Sequence, residues 1–297
     1  MRRPERAARV ALSALFTGAA AIAFAPIFVR LSEVGPVATA FYRLALALPA
    51  LWLWMTLERR HHPHTRRPCS FRDYRNLILP GLFFAGDLGI WHWSIQFTTV
   101  ANATLLANFA PVFVTLAAWL LFHERCTRMF LVGLVTALLG AGLVVGLSWE
   151  ISVERLFGDM LGLVTALFYA GYIVSVKTLR SRYSVATIMT YSALTGSLLL
   201  LPAALLSGEN LCVPSAGGWL VLAALALLSH VGGQGLIAFA LAHLPAPFSS
   251  VSLLLQPVIA AGLAWAILHE GVAPWQATGG FVVLLGIYLA RRGSRSI

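Results

Sequence analysis

The sequence predicts an all-α, polytopic membrane protein whose ten transmembrane helices form two inverted five-helix repeats. Three observations lead to this fold class. Hydrophobic residues make up 59% of the chain and charged residues only 11%, whereas about a quarter of the residues of a soluble domain are charged. Long apolar runs follow one another through the whole chain, and the second half repeats part of the first.

Each transmembrane helix is predicted from one apolar run of about 20 residues, the length that crosses the hydrocarbon core. In chain order the runs are 8–30, 36–57, 76–97, 100–122, 128–148, 157–178, 184–206, 217–241, 247–268 and 273–290. The longest segment between runs, about 58–75, is too polar and too short for a folded domain. The first run is longer than a typical signal-peptide core, so we expect it to be the first helix.

The net charge of +10 comes from an uneven distribution of Lys and Arg. If the amino terminus is cytoplasmic, 18 of these residues lie in cytoplasmic segments, Arg30 and Arg155 lie outside, and Arg43 lies within a helix. The positive-inside rule then predicts a protein of the inner membrane with both termini in the cytoplasm. Because the charge follows topology, we expect no nucleic-acid partner. The three cysteines imply no disulfide framework.

A shift of 146 residues aligns the two halves of the chain. The identities in this register are Pro111 with Pro257, Trp119 with Trp265, His123 with His269, Glu124 with Glu270, Gly133 with Gly279 and Gly140 with Gly286. VAT at 37–39 also recurs at 185–187. The duplication predicts two units, residues 8–148 and 157–290. Because five is odd, the second unit enters the membrane inverted, as is common in secondary transporters.

The repeat places a His-Glu pair after an apolar run twice, in LFHER and in ILHEG. The two pairs lie at helix ends on opposite sides of the predicted membrane, about 30 Å apart, so they cannot form one metal site. We expect them to cap or tether helix ends. Walker-type, HExxH and paired-cysteine motifs are absent from the sequence. No metal or other cofactor is therefore predicted, and a gradient is the expected energy source.

Two long motifs carry a resemblance to a known family. They are TVANATLLANFAPVFVTLAAWLLFHER with LVGLVTALLGAGLVV, and PAPFSSVSLLLQPVIAAGLAWAILHEG with GGFVVLLGIYL. In these stretches the chain resembles the EamA-type members of the drug/metabolite transporter superfamily. The resemblance spans nearly the whole chain. It implies ten helices, two inverted halves and a central cavity, in a family of which many members export amino acids, metabolites or toxic compounds.

Arg43 and Asp87 are ionisable residues inside predicted membrane helices, where charges are expensive and are candidates for function. At a rise of about 1.5 Å per residue, Arg43 lies about 10 Å below the outer end of its helix and Asp87 about 15 Å below the end of the next. Two interpretations stay open. One is a buried ion pair that holds the helices together. The other is a substrate site in which Asp87 binds an ammonium group or a proton and Arg43 tunes or releases it.

Trp91 lies four residues after Asp87, so the two share a helix face. It is a candidate substrate-binding residue, and the alternative is a place in the outer aromatic belt. His92 points elsewhere and is either a core residue or a proton relay.

Further candidates lie deep in other predicted helices. Asn108 precedes Pro111, which frees a backbone carbonyl one turn earlier. In the second half, Gln234 lies one position from the counterpart of Asp87, and Gln256 is the counterpart of Ala110, beside Pro257. These amides suit either a cavity for a polar solute or hydrogen bonding between helices. Tyr169 and Tyr172 are candidates for stacking on an organic solute, with core packing as the alternative.

The sequence therefore predicts a secondary transporter, not an enzyme, that exports small organic metabolites such as amino acids by alternating access. Efflux of drugs or toxic cations, with Asp87 as the cation site, is an alternative. The repeat and the lack of clustered catalytic groups argue against a membrane-embedded enzyme or scaffold. The expected partners are a small-molecule substrate and the lipid bilayer, with protons as the candidate coupling ion. The oligomeric state is left open and is compatible with a monomer.

Overall fold

A computed structural model describes residues 3–62, 64–124, 126–146, 153–269 and 273–294. Within these residues the structure is helical and contains no strand. Glu270 lies outside the described residues, as do the side chains of His92 and Arg155.

The described residues form ten helical segments, α1 to α10, one for each predicted apolar run. They are α1 (Arg3–Ala23, then Ala25–Arg30), α2 (Pro36–Ala45, then Ala47–His61), α3 (Phe71–Phe97), α4 (Val100–Ala107, then Ala110–Phe122), α5 (Arg128–Val145), α6 (Val153–Leu179), α7 (Val185–Leu206), α8 (Ala216–Ala224, Leu225–Gln234 and Gly235–Ala240), α9 (Ala246–Ser252, then Leu255–Leu268) and α10 (Pro274–Gly293). In the described chain, eight of the ten are long and apolar enough to cross a membrane, all except α3 and α10. The all-α membrane fold class is confirmed, whereas the count of ten crossings stays a prediction.

Four helices, α1, α2, α4 and α9, are interrupted near their middle. Each interruption lies within four residues before a proline, namely Pro26, Pro49, Pro111 and Pro257. Proline lacks a backbone N–H and its ring clashes with the carbonyl of the preceding turn, which breaks the helical hydrogen-bond ladder there. The breaks in α4 and α9 precede the prolines that correspond to each other in the repeat. Irregular backbone at this depth is tolerated where it lines a cavity or is buried in protein.

The last helices of the two halves, α5 and α10, pack antiparallel through glycines. A Cβ atom added to Gly140 would lie 2.8 Å from the carbonyl oxygen of Gly279, and one added to Gly279 would lie 2.8 Å from the carbonyl oxygen of Gly140. Nearer one end, Gly133 meets the backbone of Gly286 and Ala290 in the same way. Gly140 and Gly133 are the counterparts of Gly286 and Gly279, so corresponding positions exchange contacts across the pair. This reciprocity is the geometry of an inverted repeat.

We call the end of the bundle at which α2 ends and α3 begins the basic end, and the other end the opposite end. Two hydrogen bonds join distant parts of the chain at the basic end. The Thr127 hydroxyl at the start of α5 donates to the carbonyl oxygen of Gly293 at 2.8 Å. The Lys177 ammonium near the end of α6 donates to the carbonyl oxygen of Leu244 at 2.9 Å. Each of these bonds joins one element to a loop or terminus distant in sequence.

The duplicated histidines end α4 and α9 in the same way. His123 and His269 both adopt the left-handed conformation, each with a φ of 56°. The backbone N–H of His123 donates to the carbonyl oxygen of Ala118, and that of His269 donates to the carbonyl oxygen of Ala264. The repeated pattern therefore marks two equivalent helix ends. Metal-binding groups of three or more His, Cys, Asp or Glu are absent from the described residues.

Candidate functional site

A cavity of about 480 Å³ lies between the two halves and extends from the middle of the bundle to the opposite end. Helices α1 to α4 of the first half and α8 and α9 of the second half line it. The lining residues are Ile22, Ala23, Ala25, Pro26, Val29, Arg30, Pro36, Thr39, Ala40, Arg43, Leu88, Trp91, Thr104, Asn108, Leu225, Gln256, Pro257 and Ala260. Most of them are apolar. Four of the residues predicted from the sequence, Arg43, Trp91, Asn108 and Gln256, are among them.

Arg43 lies in the last turn of the first part of α2, just before the helix is interrupted. Its side chain is 8% exposed, and the guanidinium carbon lies 5.4 Å from the centre of the Phe84 ring on α3. This is a cation–π contact, which stabilises the charge in part. The buried Nε atom has no hydrogen-bond partner among the described residues. Arg43 therefore brings a desolvated cation with unused donors to the wall of the cavity.

Asp87 lies on α3, three residues after Phe84 and on the next helix from Arg43. The two charges are close enough to interact electrostatically, yet in the described chain no hydrogen bond or ion pair joins them. Asp87 is partly accessible but does not line the cavity. The structure thus brings the two charges together at the centre of the bundle without a direct contact between them.

The two tyrosines and the two glutamines surround the same central region. Tyr169 and Tyr172 on α6 stack with ring centres 6.0 Å apart, and Tyr172 packs on Phe84 at 4.9 Å. Tyr169 also lies near the amides of Gln234 and Gln256. The Oε1 atom of Gln234 and the Nε2 atom of Gln256 are buried without a partner among the described residues. Gln256 faces the cavity, while the other three side chains form the packed layer behind it.

Trp91 and Asn108 lie at the cavity wall on α3 and α4. Asn108 follows the first part of α4, so the interruption before Pro111 holds its amide at the cavity, and its Nδ2 atom lacks a partner in the part of the chain that is described. Trp93 is 64% exposed on the outer surface of the bundle, as an aromatic-belt residue would be. The side chain of His92 is not among the described ones.

His230 is a central residue that was not predicted from the sequence. It lies in the π-helical part of α8, is fully buried, and packs against Phe84 with ring centres 5.5 Å apart. Both ring nitrogens lack a partner among the described residues. The criterion that selected Arg43 and Asp87, an ionisable group inside an apolar run, would also have selected His230. Phe84 is its counterpart in the repeat, so the two equivalent positions meet at the middle of the molecule.

A carboxylate from the second half positions the beginning of α2 beside the cavity mouth. Glu209 accepts hydrogen bonds from the backbone N–H groups of Val37 at 3.3 Å and Ala38 at 2.8 Å. The Tyr42 hydroxyl donates to the carbonyl oxygen of Leu211 at 2.6 Å. An anion at a helix N-terminus pairs with unsatisfied N–H groups and the positive end of the helix dipole. These contacts hold α2, and with it Arg43, against the second half.

Comparison with known proteins identifies related chains. A profile described as the EamA-like transporter family matches residues 9–146 and, a second time, residues 156–292. An uncharacterized transporter of Archaeoglobus fulgidus is 28% identical over 269 residues, covering 89% of this chain and 91% of that protein. A probable terminal-alkyne amino-acid exporter of Streptantibioticus cattleyicolor is 25% identical, covering 92% of this chain and 89% of that protein. A pseudopaline exporter of Pseudomonas aeruginosa is 27% identical over 210 residues, covering 70% and 72%.

A solved crystal structure has a similar fold. It superposes with a TM-score of 0.78 at 17% sequence identity, and the match covers 98% of this chain and 97% of that one. At this identity the similarity shows the arrangement of the helices alone.

Proposed function

The chain belongs to the EamA-like transporter family, and from this premise we propose that it exports a small organic metabolite of the amino-acid class by alternating access. It is a multi-pass membrane protein and a transporter rather than an enzyme. Two of the relatives described above are named exporters, one of a terminal-alkyne amino acid and one of pseudopaline. Both names support export, and the first supports a substrate of the amino-acid class.

The observation that carries the proposal is the central cavity. It is built by both inverted halves, and three polar residues predicted from the sequence, Arg43, Asn108 and Gln256, are among its lining residues. A mostly apolar cavity with a few polar groups is the usual form of a small-molecule site. A ligand site of 300 to 1,000 Å³ is typical for small molecules, and this cavity falls in that range.

The difference between the two ends of the bundle supports alternating access. The cavity reaches the opposite end, whereas at the basic end hydrogen bonds such as that of Lys177 with Leu244 join helices to loops. An inverted repeat can exchange these two arrangements because each half can adopt the conformation of the other. We place the protein in the inner membrane with both termini in the cytoplasm, which makes the basic end cytoplasmic and the opposite end external. Protons are the proposed coupling ion.

Efflux of organic cations is the second candidate function. It is favoured by Asp87, a partly accessible carboxylate in the bundle centre that makes no hydrogen bond or ion pair with any described residue. A cationic solute that reached Asp87 would neutralise it.

Transport by the purified chain in proteoliposomes tests the proposal. Labelled amino acids, related metabolites and cationic dyes are offered with and without an imposed proton gradient. We expect saturable flux of at least one metabolite, faster with the gradient, and a changed pH dependence of that flux in Asp87→Asn vesicles. Liposomes without protein are the control. Flux of dyes alone would support the second candidate, and absence of protein-dependent flux for the whole panel would contradict both.

A further inference from the structure

We propose that the cavity selects solutes in which a carboxylate is joined to an apolar body, and that Arg43 binds the carboxylate. The inference rests on the proposed transport function and names the substrate class of that same cavity. It differs from the cation-efflux candidate in the sign of the charge that is recognised.

The charged residues that line the cavity are both cations. They are Arg43 in the middle of the bundle and Arg30 at the mouth, and Asp and Glu are absent from the described lining. Arginine keeps its proton at physiological pH, and its planar fork of N–H donors matches the two oxygens of a carboxylate. A solute with a net positive charge would be repelled by Arg43, whereas an anionic group would be attracted to it.

Arg43 is the lining residue whose donors suit a carboxylate. Its Nε atom is buried without a partner, and no hydrogen bond joins its guanidinium to any described residue. A carboxylate offers about four lone-pair sites to such N–H donors. Hydrogen bonds to an ionised group are shorter and stronger than neutral ones. The donor set and the charge therefore favour the same ligand group.

The remaining wall is apolar. Ile22, Pro26, Val29, Leu88 and Leu225 form it together with small alanines. These side chains hydrogen-bond to nothing and stabilise a ligand by removing apolar surface from water. A purely polar anion such as sulfate would leave this wall uncovered. The fitting solute thus carries an alkyl or aromatic body beside its carboxylate.

Asp87 lies near Arg43 but does not line the cavity, and it affects this site electrostatically. Its carboxylate is near Arg43 but makes no bond to it in the described chain, so the guanidinium donors stay free for the ligand. Two anions near one cation repel each other. Replacing Asp87 by Asn should therefore increase the affinity for an anionic solute, whereas it should abolish binding if Asp87 were the cation site.

Three probes that share one branched alkyl body separate the possibilities. They are 4-methyl-2-oxopentanoate, which is anionic, L-leucine, which is zwitterionic, and L-leucinamide, which is cationic. Binding to the full-length chain in nanodiscs is measured by calorimetry. We expect saturable binding of the first two and at least tenfold weaker binding of leucinamide. Arg43→Gln should weaken binding of the keto acid about tenfold or more, because a charge-assisted hydrogen bond is lost. Asp87→Asn should strengthen it.

Arg128→Gln is the matched control, because it makes the same substitution at the basic end, away from the cavity, and it should bind like the unmodified protein. The comparison of the three probes uses the unmodified chain, so it tests which charge the cavity recognises even if Arg43→Gln fails to fold. Preferred binding of leucinamide, equal affinities of Arg43→Gln and the unmodified chain for the keto acid, or no binding of any probe would each overturn the inference. Metabolite flux in the proteoliposome panel would still support the proposed function in those cases.

Discussion

Asp73, in the first turn of α3 at the basic end, shows how a single carboxylate ties together distant parts of the chain. It accepts hydrogen bonds from the Tyr183 hydroxyl and from the backbone N–H groups of Cys69 and Ser70, at 3.1 and 3.2 Å for the last two. The Arg66 guanidinium lies 3.5 Å away. Chiefly the Tyr183 hydrogen bond, and then that from Cys69, hold the pKa of Asp73 well below its usual range.

Asp73→Asn should destabilise the protein at neutral pH, with a difference that narrows in acid. A carboxyl group whose folded pKa is depressed contributes stability above its unfolded pKa of about 3.9 and loses it as the pH falls through the lower folded pKa. The thermal unfolding midpoints of both proteins in detergent should therefore differ by a similar amount at pH 7 and pH 5 and converge below about pH 4. Tyr183→Phe removes the main hydrogen-bond donor to Asp73, and its unfolding midpoint should depend on pH in the same way as that of Asp73→Asn. A gap that stays constant into acid would contradict this role.

Single residues could be predicted from the sequence where placing them in a bilayer is energetically costly. An ionisable group in an apolar run is expensive in a bilayer, and this cost alone is enough to single out Arg43 and Asp87 in the sequence. Helix geometry places them at similar depth, and the structure brings them close. The sequence does not show that Arg43 faces the cavity while Asp87 lies beside it, because the difference depends on where α2 breaks and how α3 is rotated. His230 was missed although the same reasoning applies to it.

At the scale of elements, the repeated histidines explain why both halves carry the same helix end. A left-handed residue lets the backbone leave the helix, and glycine is the usual residue there because it lacks the Cβ clash. His123 and His269 adopt this conformation with a side chain. Their backbone is therefore less favourable than that of a glycine at the same place.

His123→Gly should stabilise the protein by about 1 kcal/mol, because a non-glycine residue in the left-handed region costs roughly that amount. His123→Ala keeps the Cβ atom and is the matched control, for which no gain is expected. Both are compared with the unmodified chain by chemical unfolding in detergent. If the alanine variant gained as much as the glycine variant, the imidazole rather than the backbone conformation would be the source of strain.

The helices as elements were largely readable from the chain. Each of the ten apolar runs corresponds to one helical segment, because the hydrophobic pattern reports directly which residues can face lipid. A proline in an apolar run indicated where a helix is interrupted, as at Pro111 in α4. The π-helical stretch of α8 had no comparable signal, since it depends on packing against α1, where the Ser229 hydroxyl donates to the carbonyl oxygen of Ala21 at 3.0 Å. Such stretches often occur at functional sites.

At the scale of the whole molecule, the orientation in the membrane can be tested with the native cysteines. Cys69 is exposed at the basic end and Cys212 at the opposite end. Cys126 is half-buried, and burial raises its thiol pKa, which leaves less of the reactive thiolate. The proposed topology places Cys69 in the cytoplasm and Cys212 outside.

An impermeant maleimide should therefore label Cys212 in intact spheroplasts and Cys69 in inverted vesicles. The variants Cys69→Ser and Cys212→Ser, each combined with Cys126→Ser, leave one exposed cysteine and identify the labelled site. The readout is the mass of the modified protein. Labelling of Cys69 in intact spheroplasts would place the basic end outside and reverse the orientation derived from the positive-inside rule.

The sequence by itself determined that the chain is a helical membrane protein, that its halves are duplicated, and which family it resembles. These properties follow from composition and periodicity, which record how each segment partitions between water and lipid. The tertiary structure alone decided that α5 and α10 exchange reciprocal glycine contacts, that the cavity reaches one end of the bundle, and that Arg43, Asn108 and Gln256 line it. Those facts depend on distances between helices far apart in the chain, which are set by packing and by the places where prolines interrupt the backbone.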